Sequence, residues 1–442
     1  MDELTANSSH PSMFDAHHPP SNAIIEQCVH CGFCLPVCPT YVLWGQEMDS
    51  PRGRIYLMKI ASEGAAEMNS TWVSHFDSCL GCMACMTACP SGVDYGKLIE
   101  ATRAQIERKT ERSPGEKLHR RFMFETFTRP ERLRRMRLPL LAYQKSGLQA
   151  VVRGLGLLKL LPKKVRAMEA LLPKLGPREA VAEVTPAAGT KRRRVGLLLG
   201  CVQREFFSQV NAATARVLAA EGCEVVAPQA QPCCGALLVH AGEEAAAVEL
   251  AKRTIDAFER AAVETIVTNA AGCGSNVKEY GHLLRDDPDY ADRARVFAAK
   301  CKDVSEILAD LGPRATRHPL KLRVAFHDSC HLQHAQGVRS QPRDLLSSIP
   351  GLELAEIPEA AICCGSAGIF NLVQPDAANE LGDRKAQLIK PLHADVVATG
   401  NPGCVLQMQS ALVRHGQKIP VVHTIQLVDA SIRGESSDSF LR

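Results

Sequence analysis

In the second half of the chain, short apolar runs alternate with longer stretches of helical period. Val195-Gly-Leu-Leu-Leu-Gly200 is such a run. It is followed by a helix-like stretch at Asn211–Glu221, the short run Glu224-Val-Val, a further helix around Glu243–Ala262 and the run Thr265–Thr268. Short continuous apolar runs predict strands buried on both faces, and their alternation with helices predicts an α/β layer with parallel strands. The order then starts again with Arg323-Val-Ala-Phe, a helix around Ala377–Pro391 and Asp395-Val-Val-Ala-Thr. The pattern therefore predicts a duplicated α/β domain, one copy over residues 191–315 and the other over 316–435.

The first half carries no such alternation. Residues 1–22 are polar, with Pro and His and no periodicity, and are expected to be a disordered tail. Residues 23–110 predict a compact α+β module, mostly helical. Within it Asp49-Ser-Pro-Arg-Gly-Arg54 predicts a turn leading into a helix over Ile55–Ile60, with Ser-Pro as its start. Residues 111–190 predict a helical connector, with apolar anchors at Phe122, Phe124, Phe127 and Leu133, broken towards its end by Pro173, Pro177 and Pro186.

Composition adds two constraints. The chain has 442 residues, 45% hydrophobic and 23% charged, which suits several globular domains. Aromatic residues make up 5%, so stacking on nucleic-acid bases is not expected. The net charge of +4 is unevenly spread: residues 101–194 hold 24 Lys and Arg against 8 Asp and Glu, so the remainder is acidic. Such asymmetry points to a surface with a partner, either an acidic protein or anionic lipid, although a solvated helical face accounts for it as well. Residues 1–20 lack the basic start and apolar core of a signal peptide, and no apolar run approaches the ~20 residues of a membrane span. The expected location is cytoplasmic, peripheral on the inner face of the cell membrane.

The cysteines change the picture most. Of 18, eight form one spacing twice: Cys28-x2-Cys31-x2-Cys34-x3-Cys38-Pro39 and Cys79-x2-Cys82-x2-Cys85-x3-Cys89-Pro90. In runs of this spacing thiolates hold iron–sulfur clusters, and the fourth cysteine ligates the other cluster. Cys28, Cys31, Cys34 and Cys89 are thus expected to hold one [4Fe–4S] cluster, and Cys79, Cys82, Cys85 and Cys38 a second. Zinc is the main competitor, but its sites usually combine two CxxC pairs.

Each α/β repeat supplies four more thiols at strand ends, where open α/β sheets place their ligands. These are Cys201, Cys233, Cys234 and Cys273, then Cys330, Cys363, Cys364 and Cys404. The intervals agree: Cys201 to Cys233 is 32 and Cys330 to Cys363 is 33, while Cys234 to Cys273 is 39 and Cys364 to Cys404 is 40. The two sets are candidates for a third and a fourth cluster, against inert buried thiols. Cys223 and Cys301 fall outside the scheme and are expected to pack as small hydrophobes. His327 and His331 flank Cys330, whereas the first repeat has Leu198 and Val202 there. They are candidates for a proton or quinone site, or for metal ligation. No dinucleotide fingerprint, phosphate-binding loop or Ser/His/Asp set is visible, so no substrate-oxidising site is expected on this chain and no catalytic residue is assigned.

Taken together the chain resembles the iron–sulfur subunit of bacterial glycolate oxidase, within the wider group of CCG-domain proteins. The resemblance runs from about residue 20 to 432. It rests on Cys28–Tyr41, Asp49–Arg54, Cys79–Pro90, Gly200-Cys-Val-Gln203, Asn211–Arg216, Gly272-Cys-Gly274 with Val277–Gly281, and Cys363-Cys-Gly-Ser-Ala-Gly368. It implies an electron-transfer subunit beside flavin-binding subunits that oxidise glycolate to glyoxylate, with FAD on those partners, two [4Fe–4S] clusters on this chain, and quinone as the acceptor. The same role in a D-lactate or other 2-hydroxy-acid dehydrogenase, a self-contained CCG-type reductase working at Cys330–His331, and a zinc-structured scaffold are the alternatives. The chain departs from relatives whose CCG domains carry five cysteines and noncubane clusters: Ala270 and Asn401 stand where they have a further cysteine. Each repeat therefore offers a four-thiolate site, or one repeat is without a cluster.

Overall fold

The computed structural model describes residues 11–441, which form two compact units. One is the chain up to Leu118 together with Leu238–Glu244; the other is His119–Leu237 with Ala245 onward.

Among the described residues of the first unit the regular elements are helical, chiefly Pro39–Trp44, Pro51–Ser62, Ser70–Asp77 and Tyr95–Lys109. The predicted turn before Ile55 is a helix start: the Ser50 side chain accepts from the Gly53 N–H at 3.0 Å, and Pro51 occupies the first helical turn. Gly53 is obligatory, because a Cβ there would lie 1.9 Å from the Glu47 carbonyl oxygen. Ile55, Met58, Trp72, Phe76, Leu98 and Ile99 form the core.

The expected disordered tail is corrected for residues 11–22. Phe14 is buried in that core, the Met13 N–H donates to the Ala61 carbonyl, and Arg108 and Gln105 hold Asp15. One aromatic residue and one acid in an otherwise polar stretch suffice to anchor it. Residues 1–10 lie outside the described residues.

The second unit contains both repeats. Its strands are β1 (Val184–Thr185), β2 (Arg193–Leu198), β3 (Cys223–Val226), β4 (Thr265–Thr268), β5 (Cys301–Asp303), β6 (Leu322–His327), β7 (Leu352–Glu356), β8 (Val396–Thr399) and β9 (Val421–His423). The first sheet has the order β1-β3-β2-β4-β5 and the second β7-β6-β8-β9. All pairings are parallel except β1 with β3. Removing β1, the two orders coincide. Corresponding registers coincide too: Val195 pairs with Val225 and Thr265, as Val324 pairs with Leu354 and Val396.

One hydrophobic core runs through both repeats, from Val195, Leu197 and Val217 to Phe326, Val396 and Leu427. The helices Ser208–Ala220 and Thr424–Arg433 pack together across it, and Arg216 on the first pairs with Asp429 on the second at 2.6 Å. Cys223 lies in this core and Cys301 in a neighbouring one, with thiols pushed up by burial to about 11 and about 12.

The connector helices are Pro114–Phe127, Pro130–Lys145, Leu148–Gly154 and Lys163–Ala170. Part of the connector's positive charge is paired: Arg134, still more than half exposed, and Arg178 reach the fully buried Glu205 carboxylate at 3.4 and 3.2 Å, and Arg137 donates to the Glu205 carbonyl. Leu133, fully buried, joins the core of the first repeat. No described helix is long and apolar enough to cross a membrane.

Candidate metal centres

The first cysteine run lies on loops and turns, and the Cys-Pro that ends it begins a helix, with Cys38 as its cap. Cys28, Cys31, Cys34 and Cys89 line one open pocket together with Cys85, Gly32, Arg52, Ile55 and Pro90. The structure thus brings the last cysteine of the second run to the first three of the first. Gly32 has φ +89°, and a Cβ there would meet the Arg52 guanidinium at 2.9 Å. Arg52 donates to the His30 carbonyl at 3.0 Å, tying this loop to the helix that begins at Pro51. Burial raises the Cys34 thiol to about 11.

Cys38, Cys79, Cys82 and Cys85 are all buried, and Cys85 feels the charge of the other three. Here sequence reasoning missed the main residue, Arg54. Its side chain is 1% exposed, and its five N–H groups go to five acceptors. These are the His75 carbonyl (2.6 Å), Thr40 Oγ1 (3.1 Å), the Asp49 carbonyl (2.6 Å), Asp49 Oδ1 (3.3 Å) and Ser78 Oγ (2.9 Å). Burial works against this cation, and the charges of Cys79, Tyr95, Cys38 and Asp49 outweigh it. Reciprocally, burial pushes the Cys79 thiol up, but Arg54 and Arg103 bring it below its ordinary value. The advance signals were the basic pair in Arg52-Gly-Arg54 and the place of Asp49–Arg54 among the segments that carry the family resemblance.

These two sets fit a pair of four-thiolate iron–sulfur clusters on the chemistry of their donors. Each offers four sulfurs, the first around an open pocket. The second is beside a buried cation and a backbone N–H, Gly81 to Cys79 Sγ at 3.4 Å, which offset the negative charge of thiolate-held iron.

In the α/β repeats the cysteines follow the carboxyl ends of the strands. Cys201 comes three residues after β2, Cys233 and Cys234 after β3, and Cys273 in the helix Ala271–Lys278 after β4. The Cys233 and Cys201 sulfurs are 3.4 Å apart. The contact with Cys233 and burial together hold the Cys201 thiol well above its ordinary value. Cys233 pulls Cys234 down, but Cys273 and burial leave it raised.

In the second repeat Cys330 and Cys363 are 3.8 Å apart. There His327, at the end of β6, joins Cys364 and Cys404, with all three donor atoms within 4.8 Å of one another. Cys363 and Cys404 are held well below the ordinary thiol value, Cys363 by its contact with Cys330 and Cys404 by its contact with Cys364. His331 Nδ1 is 3.5 Å from Cys330 Sγ, so both candidate histidines lie against thiols.

The last-cysteine loops of the two repeats are joined. Ala271 N–H donates to the Gly400 carbonyl, Gly272 N–H to Asn401 Oδ1, and Gln336 to the Ala271 carbonyl. His423 accepts from the Ile425 N–H through Nδ1, so its Nε2–H donates to the Asn269 carbonyl at 2.8 Å. Burial lowers this histidine to about 4. Asn269 in turn donates to Asn211 and Thr214.

A double-run cysteine module followed by two cysteine-rich α/β repeats defines an iron–sulfur electron-transfer protein. Comparison with known families agrees: residues 24–93 match a 4Fe-4S dicluster domain, 195–278 and 324–409 a cysteine-rich domain, and 115–172 the linker region of the glycolate oxidase iron-sulfur subunit. A "Probable glycolate oxidase iron-sulfur subunit" of Bacillus subtilis is 41% identical over 410 residues, covering 91% of this chain and 92% of its own. The glycolate oxidase iron-sulfur subunit of Escherichia coli is 37% identical, covering 94% and 96%. Lactate utilization protein A of Oceanobacillus iheyensis is 31% identical over 54% of this chain and 98% of its own. The chain belongs to the family of glycolate oxidase iron–sulfur subunits.

Proposed function

We propose that this chain relays single electrons from the flavin of partner subunits that oxidise glycolate to glyoxylate, and delivers them to quinone at the inner face of the membrane. The observation that carries the reading is the convergence of Cys28, Cys31, Cys34 and Cys89 on one pocket, with Cys38, Cys79, Cys82 and Cys85 buried beside Arg54. Bound there, two [4Fe–4S] clusters would supply one-electron chemistry that no amino-acid side chain of this module has. The protein's part is to hold eight thiolates, exclude water from the second set and supply a fixed positive charge from Arg54. A further cluster on Cys201, Cys233, Cys234 and Cys273 extends the same role.

Docking at the membrane is supported by the connector. Leu148, Val151, Leu155 and Leu160 are more than half exposed there, among Arg153, Lys159, Lys163 and Lys164. Apolar groups flanked by cations suit an anionic lipid surface. A 2-hydroxy acid other than glycolate, D-lactate in particular, is the second reading, favoured by the 31% identity to a lactate utilization protein.

The test is anaerobic purification of the chain, alone and with its flavoprotein partners. The expected result is at least eight irons and matching sulfide per chain, paramagnetic signals of two interacting cubanes on reduction, and the appearance of those signals on addition of glycolate only when the partners are present. An iron-free folded chain rejects the electron-transfer role; reduction by D-lactate but not glycolate selects the second reading.

A further inference from the structure

The eight cysteines of the double run do not stand in equivalent surroundings. Cys31 is exposed and Cys28, Cys34 and Cys89 are partly so, whereas Cys38, Cys79, Cys82 and Cys85 are buried or nearly so in the core of the first unit. Val29 and Phe33, two residues either side of Cys31, are 68% and 65% exposed. An electron arriving from another protein therefore meets the first set before the second. Tyr95, 3% exposed, touches both. It lines the pocket of the first set, and its hydroxyl lies 3.6 Å from Cys79 Sγ in the second. With Cys79 as a thiolate, the hydroxyl is the donor.

The charges differ as well. Arg52 lines the first pocket, and Glu47 cancels it through contacts of 2.7 and 3.1 Å. Two guanidiniums stand beside the second set. Arg54 meets the Asp49 carboxylate at 3.3 Å. Arg103, eight residues after Tyr95 on the same helix, donates to the carbonyls of Phe76 at 3.1 Å, His240 at 2.8 Å and Cys79 itself. Carbonyl acceptors leave its charge in place, so two cations there face one carboxylate.

Burial and charge act in opposite directions. A four-thiolate cluster becomes more negative when it takes up an electron, and burial alone makes that harder. The same low dielectric strengthens attraction to a nearby cation, and hydrogen bonds to sulfur help to set the potential. Main-chain donors do not separate the two sets: His30 and Arg52 N–H groups serve Cys28 and Cys34, as Gly81 serves Cys79. The Tyr95 hydroxyl and the uncancelled cation do separate them.

We propose that the module is graded inward: an electron is held more tightly on Cys38, Cys79, Cys82 and Cys85 than on Cys28, Cys31, Cys34 and Cys89. Arg103 and Tyr95 set that order together with Arg54. The direction rests on the electron-transfer reading above. One electron leaves a cluster on the first set, which is oxidised, and reduces a cluster on the second; no proton moves and no bond is made or broken. Tyr95 and Arg103 are positioning residues, because neither takes the electron.

The test is a redox titration of the full chain with both clusters bound, followed by paramagnetic resonance, without substrate or partner. Two one-electron couples at least about tenfold apart in electron affinity, or about 59 mV, are expected. Tyr95→Phe removes only a hydroxyl and should weaken the higher couple about threefold, with the lower one in place. Arg103→Gln should weaken the higher couple about tenfold. Glu47→Gln leaves Arg52 uncancelled and should strengthen the lower couple, narrowing the gap. Iron and sulfide equal to those of the natural chain show that a variant has kept both clusters. Coinciding couples overturn the grading. So does a higher couple that moves with Glu47→Gln and ignores Tyr95→Phe and Arg103→Gln, because the order is then reversed. A folded natural chain with fewer than about eight irons rejects the electron-transfer reading and the grading with it. Two clusters in the reverse order reject the grading alone.

Discussion

Two buried side chains carry much of the chemistry at the scale of single residues. Arg54 satisfies five acceptors and faces the thiols of the second cysteine set. Arg54→Met leaves the Asp49 carboxylate without its guanidinium. Breaking a buried pair in this way costs about 3–5 kcal/mol, and denaturant titration of the variant should show a loss of that size. With clusters bound, removal of a positive charge beside one of them should also lower its midpoint potential, measured by redox titration of the paramagnetic signal. An unchanged potential would mean that Arg54 acts on packing alone. His423 gives a pH prediction. It is neutral in the folded protein, with a value near 4 against an ordinary 6.5. Below 6.5 the unfolded chain takes up a proton that the folded chain refuses, so stability is complete above that pH and is lost between about 6.5 and 4. The loss approaches about 3 kcal/mol at the acid end. His423→Gln should flatten this part of the stability–pH curve, while a slope equal to that of the natural chain assigns it to other groups.

Among the elements, the connector is where charge and apolar exposure combine. Part of its arginine population is committed to Glu205, so those side chains are structural. The exposed stretch from Leu148 to Val165 retains both leucines and lysines at the surface. Full chain mixed with vesicles containing anionic lipid should sediment with them, and the bound fraction should fall severalfold at high salt, because screening weakens attraction to the surface. Leu155→Ser with Leu160→Ser should lower binding at every salt concentration. Equal binding to neutral vesicles would remove the electrostatic part of the reading. Elements of this stretch were readable from leucine spacing, but which face met solvent was not, since several of its residues are apolar on more than one side.

At the scale of the whole molecule, the second unit behaves as one core built twice. Val195, Val217, Phe326 and Leu427 share a single apolar cluster, so neither repeat encloses its hydrophobic residues alone. Residues 316–435 expressed separately should therefore bind a hydrophobic dye and unfold without a sharp transition, whereas 119–442 with its insertion should unfold cooperatively. A cooperative transition in the isolated repeat would show that the shared core is dispensable. The insertion itself, Leu238–Glu244, packs with the first unit although it is contiguous with the first repeat. Periodicity placed those residues in the first repeat because local pattern does not register which of two units a short loop touches.

Spacing alone predicted the grouping of cysteines, and the alternation of apolar runs with helical stretches predicted the duplication and the parallel strands. These are local or periodic properties: thiol intervals follow from the reach of a loop around a metal, and strand–helix alternation follows from which faces must be buried. The helix start at Ser50-Pro51 was legible for the same reason, as a cap is made by neighbours in sequence. The burial of Phe14, the pairing of Arg134 and Arg178 with Glu205, the five bonds of Arg54 and the meeting of His327 with Cys364 and Cys404 were decided by the tertiary structure. Each depends on groups distant in the chain, and a buried charge or ligand is defined by what surrounds it in space. Sequence intervals carry no such distances: the contrast between Leu198 and His327 was readable in the chain, but the meeting of His327 with Cys364 and Cys404 was not.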